Sequence, residues 1–394
     1  MKHLRNLFGA LMLLVTALTL TGCGNGDNAL EEIINGGGGS SNSTESSVPK
    51  YREWNGTTFV EKEIPEDAIP ITSATYGLNS DKMYVVNSDV TISGILDIDN
   101  INSNVEIILC DDATLTINGQ IASPTDAEAP NPPVCSLTIY SQKNGTGKIV
   151  VNLDVANYNA IYARNLTIHG GEIEAKATGN SSMGIFVYKD IYVYGGKITA
   201  EGTKRAIMID NGSGGKFYMI DGEVVATGTS YTEGGGAIRG GWGINGKIEM
   251  SGGSLIANGG ASGPYDATVG CEGGCGINGD ITISGGTLKA NGGKGGDGTT
   301  TRGGGGNGAS AKLYYSGGSV IAIGGEHGDG GGTTNGHGSG ISNGIKNNTT
   351  SPLDYDLTDL PVSWPSVANH TLAAGNTQSL ELISPKSAAR VPHE

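Results

Sequence analysis

The chain has 394 residues, of which 68 are glycine and 13 are proline, and its formal net charge is −15 at pH 7. Collagen is excluded because the glycines follow no Gly-X-Y period and proline is scarce. A chain this acidic without a stripe of Lys or Arg repels nucleic acid, so we expect no nucleic-acid partner. An acidic polysaccharide would need bridging cations or a local basic patch.

Residues 1–22 are predicted to be a lipoprotein signal peptide. A positively charged start precedes an apolar run over residues 8–20 that is too short to span the ~30 Å membrane core. The run ends in Leu-Thr-Gly-Cys at Cys23, which resembles the lipobox of bacterial lipoproteins. The alternative is an ordinary secretory signal with a chance cysteine. The resemblance implies cleavage before Cys23, diacylglyceryl modification of its thiol and a surface-exposed place in the bacterial envelope, held to a membrane by the lipid anchor only.

Four further cysteines follow Cys23. An even number in an exported protein permits two disulfides. Cys271 and Cys275 are close enough in sequence to close a small loop by a disulfide. Their C-x-x-x-C spacing lacks the second pair and the nearby histidine that a zinc site uses. Cys110 lies in an apolar run and is expected to be buried.

The rest of the chain divides into a tether, a cap, a repeat region and a tail. Residues 23–50 hold the lipidated cysteine and are rich in Gly and Ser, which predicts a flexible tether. Residues 51–90 have a mixed pattern and are expected to form an N-terminal cap. Residues 91–345 contain the repeats. Over residues 346–394 the pattern fades, which predicts a C-terminal cap or a loose tail.

One ten-residue phrase is repeated six times without gaps. The copies are LTIHGGEIEA from Leu166, IYVYGGKITA from Ile191, FYMIDGEVVA from Phe217, IEMSGGSLIA from Ile248, ITISGGTLKA from Ile281 and LYYSGGSVIA from Leu313. Positions 1 and 3 are always apolar, position 6 is always Gly, position 8 is aliphatic and position 10 is Ala. A small residue followed by Ile recurs between the copies, as at Ala160-Ile161 and Gly184-Ile185.

This pattern predicts short strands that stack on their neighbours. Alternating apolar and polar residues indicate half-buried strands, and strands split by Gly-Gly cannot bury a face alone. The predicted fold class is all-β: a right-handed parallel β-helix solenoid with N- and C-terminal caps, one repeat to each coil. Positions 1, 3 and 8 point inward, and the Gly-Gly pair forms the corner between strands.

The later copies are separated by glycine-rich insertions over residues 291–310 and 324–340. These insertions grow on one side of the repeated phrase while the phrase itself keeps its length. Insertions on one face of a solenoid often mark its binding face. Tolerated growth of exposed loops is the alternative, and the pattern does not decide between them.

Tyrosines on outward positions are the candidate ligand-binding residues. Tyr192 and Tyr218 are expected one coil apart on the same face, with Tyr188 and Tyr194 near them. Aromatic rings with polar tips on a rigid sheet suit the rings and hydroxyl groups of a polysaccharide or a cell-surface glycan. The alternative is that tyrosine simply favours strands.

A second candidate set lies in the last glycine-rich insertion. Glu326, His327, Asp329 and His337 are residue types that hold a divalent ion such as Ca²⁺. The spacing matches no metal motif, and glycine-rich chain works against a preorganised site. No other cofactor is expected.

An enzymatic function is the less favoured hypothesis. The Gly-His-Gly at His337 resembles one element of polygalacturonases, but that family's Asn-x-Asp and Arg-x-Lys elements are absent. Asp111 and Asp112 lie far upstream, and nothing supplies the carboxylate pair that hydrolysis needs. Asp210, Asp221 and Lys216 form a lyase-like set only when selected for it. We therefore predict no catalytic residue.

Three segments together resemble a known group of proteins: EIILCDDATLTINGQI, LTIYSQKNGTGKIVV and the repeated ITISGGTLKANGG. They are similar to bacterial surface proteins that carry carbohydrate-binding, polysaccharide-lyase-like β-helix domains and glycine-rich repeats. The resemblance covers about residues 85–345. It implies a non-catalytic surface protein that binds glycan or mediates adhesion. A polysaccharide lyase or hydrolase and a structural envelope spacer are the alternatives.

Overall fold

The computed structural model describes most of the chain after residue 47. The described residues are 48–79, 82–99, 104–123, 135–265, 268–330, 333–334, 336, 338–342, 345–347, 370–371 and 378–383. The predicted signal peptide and Cys23 lie outside them. Within this part the regular secondary structure is nearly all strand, with a single 3-10 turn at Asn211–Ser213. No helix found there has the length and apolar character needed to cross a membrane.

The first sheet contains positions 1 to 3 of the repeated phrase. Its strands are Ile69–Pro70, Met83–Val86, Asn104–Leu109, Ser136–Ser141, Leu166–Ile168, Ile191–Val193, Lys216–Met219, Lys247–Met250, Ile281–Ile283, Leu313–Tyr315 and Ile345–Asn347. Every neighbour in this order is parallel. The ladder therefore begins at Ile69, before the first repeat that the sequence pattern shows.

The second sheet contains the second half of the phrase. Its strands are Val90–Asp99, Thr114–Ala122, Lys148–Leu153, Glu172–Ala177, Lys197–Gly202, Glu223–Gly228, Ser254–Asn258, Thr287–Asn291 and Ser319–Ile323. They are also parallel, in register by whole repeats. At the C-terminal end, Gln378–Ile383 pairs antiparallel with Ser319–Ile323 and with His370–Thr371. This antiparallel strand closes the edge of the sheet.

The third sheet is formed by the small-residue–Ile element. Its strands are Gly77–Asn79, Asn159–Ala163, Met183–Val187, Arg205–Ile209, Trp242–Asn245, Ile277–Asn278 and Ala309–Ser310. Two long strands, Val90–Asp99 and Thr114–Ala122, turn the corner and also pair with it. Ile161, Ile185 and Ile207 occupy matching positions in successive coils. Each coil thus visits three sheets, and the predicted parallel β-helix is confirmed.

The interior is an aliphatic stack at the predicted positions. In the coil that begins at Ile191, the side chains of Ile191, Val193, Ile198 and Ala200 are at most 1% exposed. The corresponding residues of the other five copies are all buried. Burial of one large aliphatic side chain contributes about 1.5–3 kcal/mol, so the stacked rows supply most of the stabilisation.

The glycine at position 6 turns each corner with a positive φ. The φ of Gly196 is 83°, and that of Gly286 is 83°. A Cβ on Gly286 would lie 2.7 Å from the backbone carbonyl carbon of Gly252 in the preceding coil. Both the backbone conformation and the coil spacing therefore require glycine at this corner.

The glycine-rich insertions form an ordered layer between the second and third sheets. We call this the glycine layer: residues 259–263, 270–276, 292–298, 303–308, 324–330 and 336–340, without residue 337. One row of backbone hydrogen bonds joins glycines of successive passes. The N–H of each glycine in the row donates to the carbonyl of the glycine before it, over 2.7–2.9 Å. The row is Gly241, Gly260, Gly274, Gly293, Gly306, Gly325 and Gly338. Backbone groups form this row, and side chains add to it: the Asp329 N–H donates to Asp297 over 2.7 Å, and the Ser339 N–H donates to Asn307 over 2.8 Å.

Successive donors within one pass of the layer are three residues apart. Gly260 and Gly263 both donate to the preceding pass, as do Gly293 and Gly296. A period of three is that of an extended helix of the polyproline II type, which has no hydrogen bonds of its own. Here the neighbouring passes provide them. A Cβ on Gly274 would lie 1.9 Å from the Gly241 carbonyl oxygen, so the passes are too close for any side chain.

An antiparallel hairpin lies on the outer face of the first sheet. It is formed by Lys50–Trp54 and Phe59–Glu63, and Arg52 also pairs with Ser141 of the first sheet. We call it the N-terminal hairpin. Its place against the side of the coils makes it a cover for that sheet, whereas the sequence pattern indicated only a cap.

Candidate functional site

Two columns of aromatic residues stand on the outer face of the first sheet. In the column at position 2, Tyr192 lies directly opposite Tyr218 in the next coil. Their ring centroids are 4.8 Å apart and their planes differ by 5°. The distance is the spacing of paired strands, because one residue in each coil occupies the column. The structure thus places these two residues as the repeat register predicts.

The column at position 4 contains Tyr140, His169 and Tyr194. The His169 ring is 4.7 Å from the Tyr140 ring and 5.1 Å from the Tyr194 ring, and both pairs are stacked. Tyr194 also stacks on Tyr192 of the first column, with 6.1 Å between centroids. Five rings are consequently in continuous contact across the coils.

The N-terminal hairpin covers the second column. Trp54 stacks on Tyr194 at 5.9 Å, and the edge of Tyr51 packs on Tyr140 at 4.9 Å. The backbone N–H of Trp54 donates a hydrogen bond of 2.9 Å to Nδ1 of His169. Only 7% of His169 is exposed. This column is therefore structural, since it fixes the hairpin to the sheet.

Sequence reasoning missed Tyr140, His169 and the hairpin. The partners Trp54 and His169 are 115 residues apart, and no repeat relates them. A local signal was present, because Asn55-Gly56 separates two segments with aromatic residues, and Asn-Gly is typical of a hairpin turn. That signal predicts the hairpin but not the surface it covers.

The buried imidazole of His169 is neutral at neutral pH. Burial lowers its pKa to about 4, and the nearby Lys62 ammonium acts in the same direction. Glu53 opposes this shift. An imidazole that accepts a hydrogen bond at Nδ1 must be unprotonated there, so the contact with Trp54 and the lowered pKa agree.

The first column stays open, and Tyr192 and Tyr218 are half-buried. The Tyr192 hydroxyl donates to Asp190 over 3.4 Å, and burial with the Asp190 charge raises the pKa of Tyr192 to about 12. Lys216 forms an ion pair of 2.5 Å with Glu249, and its ammonium lies 5.9 Å from the Tyr218 ring. The result is a stack of two parallel, neutral phenol rings with charged groups at its edge.

The structure brings together three of the four predicted tyrosines. Tyr192, Tyr194 and Tyr218 belong to one stack, and Trp54 covers part of Tyr194. Tyr188 lies on the turn before this strand, where the Lys189 ammonium is 5.5 Å from its ring. It is not part of the stack. The surface open to a ligand is thus formed by Tyr192 and Tyr218.

The candidate metal ligands have other partners. Asp329 forms an ion pair of 2.5 Å with Lys294, which lowers the pKa of that carboxyl group. Nδ1 of His327 lies 2.7 Å from the Gly328 carbonyl oxygen. His337 lies outside the described residues. Among the residues that are described, no three His, Cys, Asp or Glu side chains converge. A Ca²⁺ site at Glu326, His327, Asp329 and His337 stays a prediction.

The predicted disulfide between Cys271 and Cys275 is not formed, and both are free thiols. The reason is the glycine layer between them. Cys271 donates its N–H to Gly263 and accepts from Gly296, which holds this pass extended. Four extended residues span about 12 Å, far beyond the Cα separation of about 4.4–6.8 Å that a disulfide allows. Burial raises the pKa of both thiols.

The residues considered for lyase chemistry also have separate roles. The Asp210 carboxylate accepts a hydrogen bond of 3.2 Å from the Ser213 N–H and caps the 3-10 turn. Lys216 is engaged by Glu249. Asp221 occupies position 5 of its repeat at the corner between two sheets. The contacts of Asp210 and Lys216 stabilise the coil.

In comparisons with known proteins, no family model matches the sequence, and neither a curated protein nor a solved structure matches it.

Proposed function

We propose that this chain is a non-catalytic, lipid-anchored bacterial surface protein that binds glycan through the outer face of the first sheet. The observation that carries the proposal is the open stack of Tyr192 and Tyr218. The rings are stacked with their planes parallel to within 5°, and the pairing of their strands holds them one above the other. Surface exposure and the acyl anchor at Cys23 are inferred from sequence alone.

The chemistry of the pair suits a sugar ring. The C–H face of a pyranose packs on an aromatic face, while phenol hydroxyls exchange hydrogen bonds with sugar hydroxyls. Asp190 and the Lys216–Glu249 pair add acceptors and a donor at the edge of the stack. One such contact is weak, but a polysaccharide that meets many copies on a cell surface binds through their sum.

The test is binding of the full chain to a glycan array, with and without Ca²⁺. In Tyr192→Ala/Tyr218→Ala, we expect retention of the bound glycans to fall at least about tenfold, because stacking contacts of two rings are lost. Tyr314→Ala is the matched control. Tyr314 is half-buried in the same column, but its neighbour in the preceding coil is Thr282.

Unchanged retention in the double variant would remove the proposed surface. Retention that depends on Ca²⁺ and survives the double variant would favour the predicted metal ligands instead. Release of unsaturated or reducing-end products from pectin-type substrates would overturn the non-catalytic part of the proposal. Absence of any bound glycan would leave the structural spacer as the better account.

A further inference from the structure

A second cluster of aromatic and basic side chains lies on another face of the coils. Arg205 begins a strand of the third sheet and is directly opposite Trp242 in the next coil. Between these two strands the chain forms an antiparallel hairpin, Ser230–Thr232 with Ile238–Gly240. Tyr231 of this hairpin leans toward Arg205 and its neighbour Lys204. We call Lys204, Arg205, Tyr231 and Trp242 the Arg205 corner.

Two cations share this corner with two aromatic rings. The Arg205 guanidinium carbon lies 4.8 Å from the centroid of the Trp242 ring. The Lys204 ammonium lies 5.8 Å from the centroid of the Tyr231 ring. Arg205 and the Tyr231 hydroxyl are also near enough to interact electrostatically. All four side chains are half-buried, so the cluster is reachable from solvent yet held in place.

The cations of the corner contrast with the ion-paired lysines of the second sheet. On the outer face of the second sheet, lysines face carboxylates across the coils, as in Lys148–Glu174 at 2.9 Å and Lys176–Glu201 at 3.4 Å. Among the described residues, neither Lys204 nor Arg205 forms an ion pair. This imbalance is notable in a chain with a net charge of −15.

Arg205 also has an unused hydrogen-bond donor. Its Nε is buried and has no hydrogen-bond partner within the part of the chain that the structure describes. Burial lowers the pKa of the guanidinium. An aromatic face attracts the charge of a guanidinium, but its N–H donors still need oxygen acceptors. A buried donor without an acceptor is unfavourable, so the surroundings of this guanidinium supply too few acceptors.

We propose that the Arg205 corner binds a sugar acid, namely the carboxylate and ring face of a uronic acid residue in an anionic polysaccharide. A guanidinium matches the two oxygens of a carboxylate, and the adjacent ammonium adds a second positive charge. Trp242 and Tyr231 offer apolar surface for the sugar ring. The corner lies on a different sheet from Tyr192 and Tyr218, so this second, charge-selective site goes beyond the proposed function.

The experiment compares two tetrasaccharides that differ at C6. The full chain is titrated calorimetrically with tetragalacturonate and, separately, with uncharged galactotetraose. We expect binding of the acidic ligand only, with an affinity that falls as salt is raised. Arg205→Lys keeps the charge but loses the paired donors, and should weaken binding at least about tenfold. Lys204→Gln should also weaken it.

Arg239→Gln is the matched control, because this arginine lies on the same hairpin but is ion-paired with Glu233. It should bind like the unchanged chain. Tyr192→Ala/Tyr218→Ala should keep its affinity for tetragalacturonate, which separates this site from the proposed glycan surface. Equal affinity for both tetrasaccharides, or full affinity in folded Arg205→Lys, would overturn the proposal. If Arg205→Lys does not fold, full affinity in Lys204→Gln overturns it.

Discussion

Lowering the pH from 7 to 4 should release the N-terminal hairpin from the first sheet, because docking requires a neutral His169. When the hairpin is docked, Nδ1 of His169 accepts the Trp54 N–H over 2.9 Å between two stacked tyrosine rings. A protonated imidazole has no free acceptor at that atom. Protonation therefore breaks the hydrogen bond and places an unsolvated charge in the stack.

The size of this destabilisation follows from the difference in the pKa of His169 between the docked and the released hairpin. The pKa of His169 is about 4 when it is buried, against 6.5 for an exposed histidine. At about 1.4 kcal/mol for each tenfold difference, this amounts to about 3 kcal/mol. The released state binds the proton first, so this stabilisation is complete above pH 6.5. It falls as the pH drops toward 4. Glu53 and Lys62 face the same site with opposite effects on it.

Fluorescence of Trp54 reports docking, because its indole stacks on Tyr194 at 5.9 Å in the docked state. We expect the emission to shift between pH 6.5 and 4. Because the chain has two other tryptophans, Trp54→Phe is needed to assign this shift, which should disappear in that variant. In His169→Asn, the side-chain amide oxygen can still accept from Trp54 but does not titrate. Docking there should be weaker at pH 7 and independent of pH in this range.

The same pH shift in His169→Asn would refute the role of the imidazole. Glu53→Gln is the necessary control, because the ion pair of Lys62 with Glu53 belongs to the same hairpin and also changes in acid. If the shift disappeared in Glu53→Gln and persisted in His169→Asn, the ion pair of the hairpin would control docking. The aromatic column beneath the hairpin would then have no part in the pH response.

Two predictions concern the coils themselves. Ile198 lies at position 8 and is 1% exposed, so Ile198→Ala should lower the free energy of unfolding by about 2–5 kcal/mol in urea titrations. Thr199 is exposed and faces outward, so Thr199→Ala should change that free energy by less than about 0.5 kcal/mol. Similar losses in both variants would contradict the inward assignment of position 8. Gly274→Ala should cost about 1–3 kcal/mol, because its Cβ would lie 1.9 Å from the Gly241 carbonyl oxygen, whereas Gly234→Ala has no atom within 4 Å and should melt like the unchanged chain.

The coil could be predicted from sequence because its determinants are local and repeated. Ile281, Ile283 and Leu288 alternate with polar residues, and each is buried as the alternation indicates. Gly286 turns the corner with φ of 83°, as the Gly-Gly pair predicts. A strand pattern repeated in register leaves one consistent solution for the first two sheets, whereas the small-residue–Ile element was seen only as a recurrence and was not assigned to a sheet.

The contact between the two tyrosines was predictable for the same reason. The N-terminal hairpin that covers the neighbouring aromatic column was not. Tyr192 and Tyr218 share one repeat position, so their contact follows from the period. The contact between Trp54 and His169 joins residues outside any common repeat. The Arg205 corner escaped prediction similarly, because Lys204 is joined to Tyr231 by a hairpin that occurs in one coil only.

The glycine-rich insertions illustrate a different limit. Their composition is that of a flexible linker, since glycine loses the most conformational entropy on ordering. Order results from backbone hydrogen bonds between passes 13 to 19 residues apart, as from Gly293 to Gly274 and from Gly306 to Gly293. The donors of such bonds recur every third residue. A search of the sequence for the two-residue period of a strand or the 3.6-residue period of a helix does not detect this spacing. A glycine has no side chain and so permits this close approach, as at Gly274 and Gly293, where a Cβ would lie 1.9 Å from a carbonyl oxygen of a neighbouring pass; glycine here therefore specifies order.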